Sequence, residues 1–185
     1  MKETKVNLLE KSFPNLYREG LGTGVQDGWF DLIYDLSSSI EKLILKEPED
    51  ERESYHVIQV KEKFGGLRFY MNRTTERMAE LISEAERRSH YVCEKTGNPG
   101  RRLNVCGWIK TLSPEAFVSE MISRRNWEMY SALKRLAENQ LDEPNDEGVV
   151  IDRREFEWAQ KTLKRWQEID QMMKKFCEQE GIFYH

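Results

Sequence analysis

Few residues in this sequence have the types and spacing that a metal site requires. His90 and Cys93 are three residues apart, and Cys106 follows thirteen residues later. A structural zinc ion needs four nitrogen or sulfur ligands, which usually come in Cys-x2-Cys pairs. Thr96 stands where the first pair would be completed, and no second pair follows Cys106. The sequence therefore predicts reduced thiols beside a turn, with no metal and no other cofactor.

Covalent catalysis has one candidate arrangement, a Cys–His pair. Cys93 or Cys106 with His56 or His90 would provide a nucleophile and a base. Neither a nucleophile elbow nor a glycine-flanked serine accompanies them. The neighbouring carboxylates have the spacing of solvated helix and loop faces, which is not a recognisable acid–base pair. We therefore predict that the protein is not an enzyme.

A run of basic and aromatic residues between 87 and 110 indicates a different chemistry. Its candidate contact residues are Arg87, Arg88, Arg101, Arg102 and Trp108. Cationic side chains interleaved with aromatic rings are typical of proteins that hold single strands and RNA ends. Glutamates in the same stretch also fit an ordinary mixed-charge surface. Nucleic-acid binding through this turn is therefore an alternative function.

Glu62 is the polar residue whose expected position most needs a partner. Counting alternately along its strand places it with Ile58, Val60 and Phe64 on the face expected to be buried. A buried carboxylate requires a cation or hydrogen-bond donors. Arg68, across the expected turn, is the candidate partner in a buried polar pair. A structural ion pair is favoured, and a cryptic enzyme around this pair and the thiols is a further alternative.

A β-hairpin is expected to position these residues. Tyr55 to Tyr70 contains two alternating segments, which we expect Gly65-Gly66 to join. Two segments, 29–45 and 75–89, have the apolar spacing of amphipathic helices. Strand-like pieces at 91–93 and 104–111 would extend the sheet. The predicted fold class is α+β, with a small antiparallel sheet built on a central β-hairpin, covered by helices and followed by a helical C-terminal extension.

Residues 117–185 are predicted to form a helical lobe behind a core of residues 1–116. Two short helices at about 114–124 and 126–140, a linker at about 142–148 and a long last helix ending near Gly181 account for this part. The apolar stripe of the last helix most simply packs on its own chain, and a homodimer through this helix is the alternative. The candidate partner contacts on this helix are Trp158 and Trp166.

Composition sets limits on the class of protein. The 185 residues carry a net charge of −4, which is not the strong positive excess of a dedicated DNA-binding protein. No apolar run approaches the roughly 20 residues of a membrane helix. The first residues lack the apolar core of a signal peptide, and three cysteines form no disulfide framework. We therefore expect a cytoplasmic protein without membrane contact.

Several short strings resemble, in the same order, a family of small proteins from bacteriophages and prophages. They lie within about residues 14–116 and are Gln26-Asp27-Gly28-Trp29, Gln59 to Tyr70, Cys93-Glu94, Gly97, Pro99-Gly100 and Gly107-Trp108. Many members have a zinc ribbon at this turn. Here Thr96 replaces one cysteine, and Ser113 and Ala116 fall near the later ligand positions, so the resemblance implies a degenerate, zinc-free ribbon.

The resemblance also implies a class of function. It points to a phage or prophage accessory protein in the host cytoplasm that acts by binding a host macromolecule. A host protein is the leading prediction, as in host-takeover or anti-defence inhibitors, and nucleic acid is the alternative partner.

Overall fold

The computed structural model describes residues 1–138 and 153–182 of the chain. The chain divides into two compact units, Met1–Ala116 and Phe117–His185. Helices and small sheets occur together, so the predicted α+β class is confirmed. The predicted linker at 142–148 lies outside the described residues.

The first unit alternates helices with short strands. Its elements are α1 (Glu3–Ser12), β1 (Thr23–Gly24), α2 (Phe30–Ile44), β2 (Val57–Lys63), β3 (Gly66–Met71), α3 (Glu76–Ser89), β4 (Arg101–Val105) and β5 (Trp108–Leu112). The first three strands form one sheet in the order β1-β2-β3, in which β1 is parallel to β2 and β3 is antiparallel to it. Strands β4 and β5 form a separate antiparallel ribbon, so the expectation that they extend the first sheet was wrong.

One apolar cluster joins the helices to the sheet. Helix α3 packs on β3, and α2 packs on α3. Thr75 caps α3, since its hydroxyl accepts a hydrogen bond from the Met78 backbone N–H at 3.3 Å. The cluster contains large side chains with almost no solvent exposure, among them Trp29, Ile33, Ile40, Val60, Leu67 and Met78. The predicted helices therefore cover the hairpin sheet as expected.

The buried face of β2 differs from the predicted face. Val57 and Val60 are buried, whereas Ile58 is 60% exposed and Phe64 is 65% exposed. The pairing with β3 shifts between Val57 and Gln59, and this irregularity resets the alternation of side chains. Ile58 therefore faces solvent, whereas Phe64 is exposed because it lies in the loop after β2, with a φ of 53°.

Both hairpins of the first unit turn through two residues with positive φ. Lys63 pairs with Gly66, so the first loop is Phe64-Gly65 (φ 53° and 74°), one residue earlier than predicted. The second loop is Cys106-Gly107 (φ 51° and 92°). Two left-handed residues match the type I′ turn, whose twist suits paired strands. The predicted strand at 91–93 is wrong, since it forms only an isolated bridge between Val92 and Pro99.

The second unit consists of α-helices in its described part. Helix α4 (Pro114–Glu138) begins at the end of the first unit and runs without the break predicted near residue 125. Ser113 precedes it, and its hydroxyl accepts a hydrogen bond from the Ala116 backbone N–H at 3.4 Å. Helix α5 (Arg153–Glu180) ends before Gly181, whose φ is 67°.

Helix α5 packs on α4 within the same chain. The rings of Phe117 and Phe176 lie 5.0 Å apart. Met173 and Cys177 on the same stripe of α5 are buried. These residues of the stripe therefore pack within the unit, whereas Met172 beside them is 55% exposed, and the homodimer considered above stays a prediction. Among the described residues, no helix is both long and apolar enough to cross a membrane.

Candidate interaction face at the hairpin junction

The tip of the first hairpin lies against the β4–β5 ribbon. The Thr111 hydroxyl donates a hydrogen bond of 2.5 Å to the carbonyl of Gly65. A Cβ at Gly65 would lie 3.1 Å from Ile109 Cγ2, so glycine permits this close approach. We call this region the hairpin junction and define it by its residues: Phe64, Gly65, Gly66, Arg68, His90, Arg102 and Ile109.

Cationic groups converge beside Gly66. A Cβ at this glycine would lie 2.6 Å from His90 Nε2 and 3.2 Å from Arg68 Nη1. Burial lowers the pKa of His90, and the positive charges of Arg102 and Arg68 lower it further, while Glu86 opposes them. The imidazole is therefore held in its neutral form, between two guanidinium groups, to a lower pH than usual.

The ribbon separates the basic residues that the sequence groups together. Across the ribbon Arg102 pairs with Thr111 and therefore shares the face that contacts Gly65. Arg101 and Trp108 belong to the opposite face, because side chains alternate along each strand. The structure thus brings Arg102 into the hairpin junction and leaves Trp108 exposed on the other side of the ribbon.

The two predicted arginines of α3 differ in their partners. Arg87 Nε and Nη2 donate hydrogen bonds to the two carboxylate oxygens of Glu84, at 2.9 and 2.8 Å. Arg88 is exposed, and within the described residues neither Arg88 nor Arg102 has an acidic partner. Arg88 and Arg102 therefore retain positive charge for a ligand, whereas the charge of Arg87 is largely neutralised.

Glu62 stabilises the first turn and does not pair with Arg68. Its Oε1 accepts a 2.6 Å hydrogen bond from the Gly65 backbone N–H. Arg68 donates to the Leu67 carbonyl at 2.6 Å and lies 3.7 Å from Glu86. The expected buried polar pair is therefore not formed, because the strand irregularity and the turn place the Glu62 carboxylate over the loop.

The cysteines do not assemble a metal site. Burial alone would raise the pKa of the Cys93 thiol, but hydrogen bonds from the Thr96 side chain and from the Ser113, Thr96 and Lys95 backbones lower it below the ordinary value. Cys93, Thr96 and Ser113 therefore meet at this turn. Among the described residues no three His, Cys, Asp or Glu side chains are grouped to hold a metal ion.

A second contact fixes this turn to the start of α2. The Gly28 backbone N–H donates to the Glu94 carbonyl at 2.9 Å, and Trp29 Nε1 donates to the Val92 carbonyl at 2.7 Å. Gln26 Nε2 donates to the buried Glu94 carboxylate at 2.9 Å. The strings Gln26-Asp27-Gly28-Trp29 and Cys93-Glu94 are therefore in direct contact and have a structural role.

The tryptophans of the second unit differ from expectation. Trp166 is only 3% exposed, and its Nε1 donates to Glu128 at 2.8 Å, so it is not an available contact residue. Trp158 is partly exposed, while Trp127, which the sequence analysis did not select, is 66% exposed. Trp127 lines a groove of about 450 Å3 with Glu120, Ser123 and Arg124. Because the sequence predicts two helices with a break near residue 125, it does not predict this exposed face of the continuous helix α4.

Comparison with protein-family models, with curated proteins and with solved structures finds no match for this chain. The choice of the hairpin junction as the candidate site therefore rests on its geometry. That geometry combines an exposed aromatic ring at Phe64 with cationic groups at Arg68 and Arg102.

Proposed function

We propose that this chain is a phage or prophage accessory protein that binds a host macromolecule through the hairpin junction and is not an enzyme. Phe64 is the observation that carries the proposal. Its φ of 53° is unfavourable for a residue with a side chain, by about 1 kcal/mol, yet its ring is 65% exposed. The ring thus contributes neither favourable turn geometry nor burial in the fold, and contact with a partner would account for it.

The surroundings of Phe64 suit a binding surface. Glu62 and Thr111 hold the loop by hydrogen bonds to the backbone of Gly65. Ile109 adds a second exposed apolar side chain beside that glycine. A tip fixed in this way loses little conformational entropy on binding, and exposed aromatic anchors often dominate binding energy.

The resemblance to phage and prophage proteins supports a partner that belongs to the host. Binding that interferes with a host process or a host defence is the form of action that such a protein would take. In that setting the protein works in the cytoplasm of the infected cell.

The substitution Phe64→Asn tests the role of the ring. Asparagine adopts positive φ more readily than phenylalanine, so we expect the free energy of unfolding to rise by about 0.5–1 kcal/mol. Capture of host macromolecules by the immobilised protein should fall at the same time. Urea denaturation measures the first effect, and quantitative capture from host lysate, with and without nuclease treatment, measures the second.

Ile58→Thr provides the matched control. Ile58 is similarly exposed, at 60%, and lies in the same hairpin, but it is near the opposite end of β2. Capture should be unchanged in this variant. Equal capture by wild type and Phe64→Asn would contradict the proposed role of the hairpin junction.

The exposed Trp127 favours a second candidate surface for a host protein. Its indole projects from α4 beside Arg124, whose guanidinium pairs with Glu128 at 3.3 Å. An exposed tryptophan bordered by charged residues resembles the anchor of a protein interface. Partner capture that depends on Trp127 but not on Phe64 would assign the host-binding role to the helical unit.

A further inference from the structure

We propose that the macromolecule bound at the hairpin junction is a single-stranded nucleic acid. In this arrangement Arg68, His90 and Arg102 contact a backbone phosphate, and the ring of Phe64 stacks on an adjacent base. The inference rests on the proposed function, because it names the class of partner for the same surface.

The charge around the junction favours a polyanion. Residues 61–70 and 84–112, which carry the two hairpin tips, the end of α3 and the connecting turn, contain nine Lys and Arg against four acidic residues. Of these acids, Glu62 accepts a hydrogen bond from the turn, Glu94 is buried, Glu84 pairs with Arg87, and Glu86 lies 3.7 Å from Arg68. The chain as a whole has a net charge of −4, so positive charge is concentrated here. Such a concentration attracts phosphate backbones at long range.

The donors at the junction have the chemistry of a phosphate contact. His90 Nε2 and Arg68 Nη1 lie 2.6 and 3.2 Å from the point that a Cβ at Gly66 would occupy, so the absence of a side chain there lets these two nitrogens come close together. Arg102 is exposed on the ribbon face that contacts Gly65, and within the described part of the chain no carboxylate pairs with it. Guanidinium groups bind phosphate oxygens through paired N–H donors, and an imidazole in its neutral form adds one N–H donor.

The exposed ring favours a single strand over a duplex. Phe64 occupies the tip of its hairpin, and the Lys63 ammonium lies 5.6 Å from the ring centroid. Aromatic rings stack on unpaired bases, whose faces are accessible, while the bases of a duplex are covered by their neighbours. An acidic protein would match the charge of the junction but has no bases to stack on the ring. The combination of ring and phosphate donors thus favours single-stranded DNA or RNA.

Fluorescence anisotropy with labelled oligonucleotides tests the inference. The full-length protein is titrated into a 15-nucleotide thymidine strand, the corresponding uridine strand and a 15-base-pair duplex at several salt concentrations. We expect tighter binding of the single strands, with an affinity that falls as salt rises. Phe64→Asn should weaken binding at least about fivefold without changing the salt dependence, since stacking involves no counterion release.

Arg102→Glu tests the phosphate contact. It should weaken binding and lower the slope of log affinity against log salt by about 0.7, the value for one phosphate of a single strand. Lys42→Glu, which changes an exposed lysine of α2 by the same charge, is the matched control and should retain the slope. Circular dichroism confirms that each variant is folded.

Three results would overturn the inference. They are equal or tighter binding of the duplex, binding of a poly-glutamate peptide as tight as that of the oligonucleotides, and an unchanged salt slope in Arg102→Glu. If oligonucleotides did not bind, but a host protein were still captured after nuclease treatment and the capture depended on Phe64, the inference would be overturned and the proposed function would stand. If the protein neither bound oligonucleotides nor captured a host protein through Phe64, both the inference and the proposed function would be overturned.

Discussion

The two hairpins of the first unit use the same side-chain contact at their turns. Glu62 accepts from the Gly65 backbone N–H at 2.6 Å, and Asn104 accepts from the Gly107 backbone N–H at 2.7 Å. Each acceptor stands two residues before the first residue of its loop. The side-chain oxygen gives the glycine N–H of the loop a hydrogen-bond acceptor, and this contact stabilises the glycine in its left-handed conformation. A carboxylate or amide at this position is therefore a local turn residue, and Glu62 needs no buried cation.

His90 gives the first unit a dependence on pH. Burial, Arg102 and Arg68 lower its pKa in the folded protein, and Glu86 offsets them only in part. The unfolded chain therefore takes up the proton at higher pH than the folded protein does. Stability is greatest above the ordinary histidine pKa of 6.5 and declines as the pH falls below that value.

The variant His90→Asn isolates this contribution. Urea denaturation at pH 7.5 and at pH 5.5 should show a larger loss of stability in wild type than in the variant. Because the carboxylates titrate in both proteins, the difference between them reports on His90. The same loss in both proteins would contradict the assignment.

At the scale of elements, the β4–β5 ribbon and the turn before it contact the backbone of residues distant in sequence. Gly65 contacts the ribbon and Gly28 contacts the turn at 93–97, and a side chain at either position would meet these neighbours closely. A Cβ at Gly28 would lie 2.2 Å from the Cys93 carbonyl oxygen and 2.6 Å from the Gly97 nitrogen. These neighbours are backbone atoms and cannot move aside by rotation of a side chain.

The variant Gly28→Ala should therefore be strongly destabilised, by about 2 kcal/mol or more, since the start of α2 must separate from the turn at Glu94. Gly22→Ala is the matched control, because its added Cβ would have no atom within 4 Å. Thermal denaturation followed by circular dichroism compares the two. Equal melting temperatures would show that the contact at Gly28 does not support the fold.

The sequence predicted the elements that have a regular period. Helices α2 and α3 and strand β3 were found because their apolar residues repeat every three to four or every two positions. Strand β4 was missed because Gly97-Asn98-Pro99-Gly100 is a stronger turn signal than Cys106-Gly107, although the second pair forms the loop. Strand β1 has only two residues, which is too short for a pattern.

The hairpin junction itself was beyond prediction from local patterns. It depends on the hydrogen bond from Thr111 to Gly65, which joins residues 46 positions apart. The basic residues were noticed, but their division between two ribbon faces follows from the register of β4 and β5. Only the pairing shows that Arg102 lies with Gly65 while Trp108 does not.

At the scale of the whole molecule, the apolar residues have different uses in the two units. The first unit buries most of its large side chains in one cluster and exposes Phe64 at a hairpin tip. The second unit uses the described stripe of α5 for its own packing and exposes Trp127 on α4. Phe64 in the first unit and Trp127 in the second are exposed rings at the two candidate surfaces, and single substitutions of these two rings separate the contributions of the surfaces to partner binding.

The burial of the cysteines has a practical consequence for following that binding. Cys93 and Cys177 are buried, and Cys106 in the second hairpin loop is the thiol with access to solvent. We expect the native protein to take up one equivalent of a maleimide dye, at Cys106, even though the pKa of the buried Cys93 is lowered. Mass spectrometry of the intact protein measures the stoichiometry, and mass spectrometry of its peptides identifies the labelled site. The variant Cys106→Ser is the control and should stay unlabelled. Modification of Cys93 in the native protein would contradict the expectation. A single fluorophore can then be placed on the ribbon that carries Arg102 without removing any other cysteine.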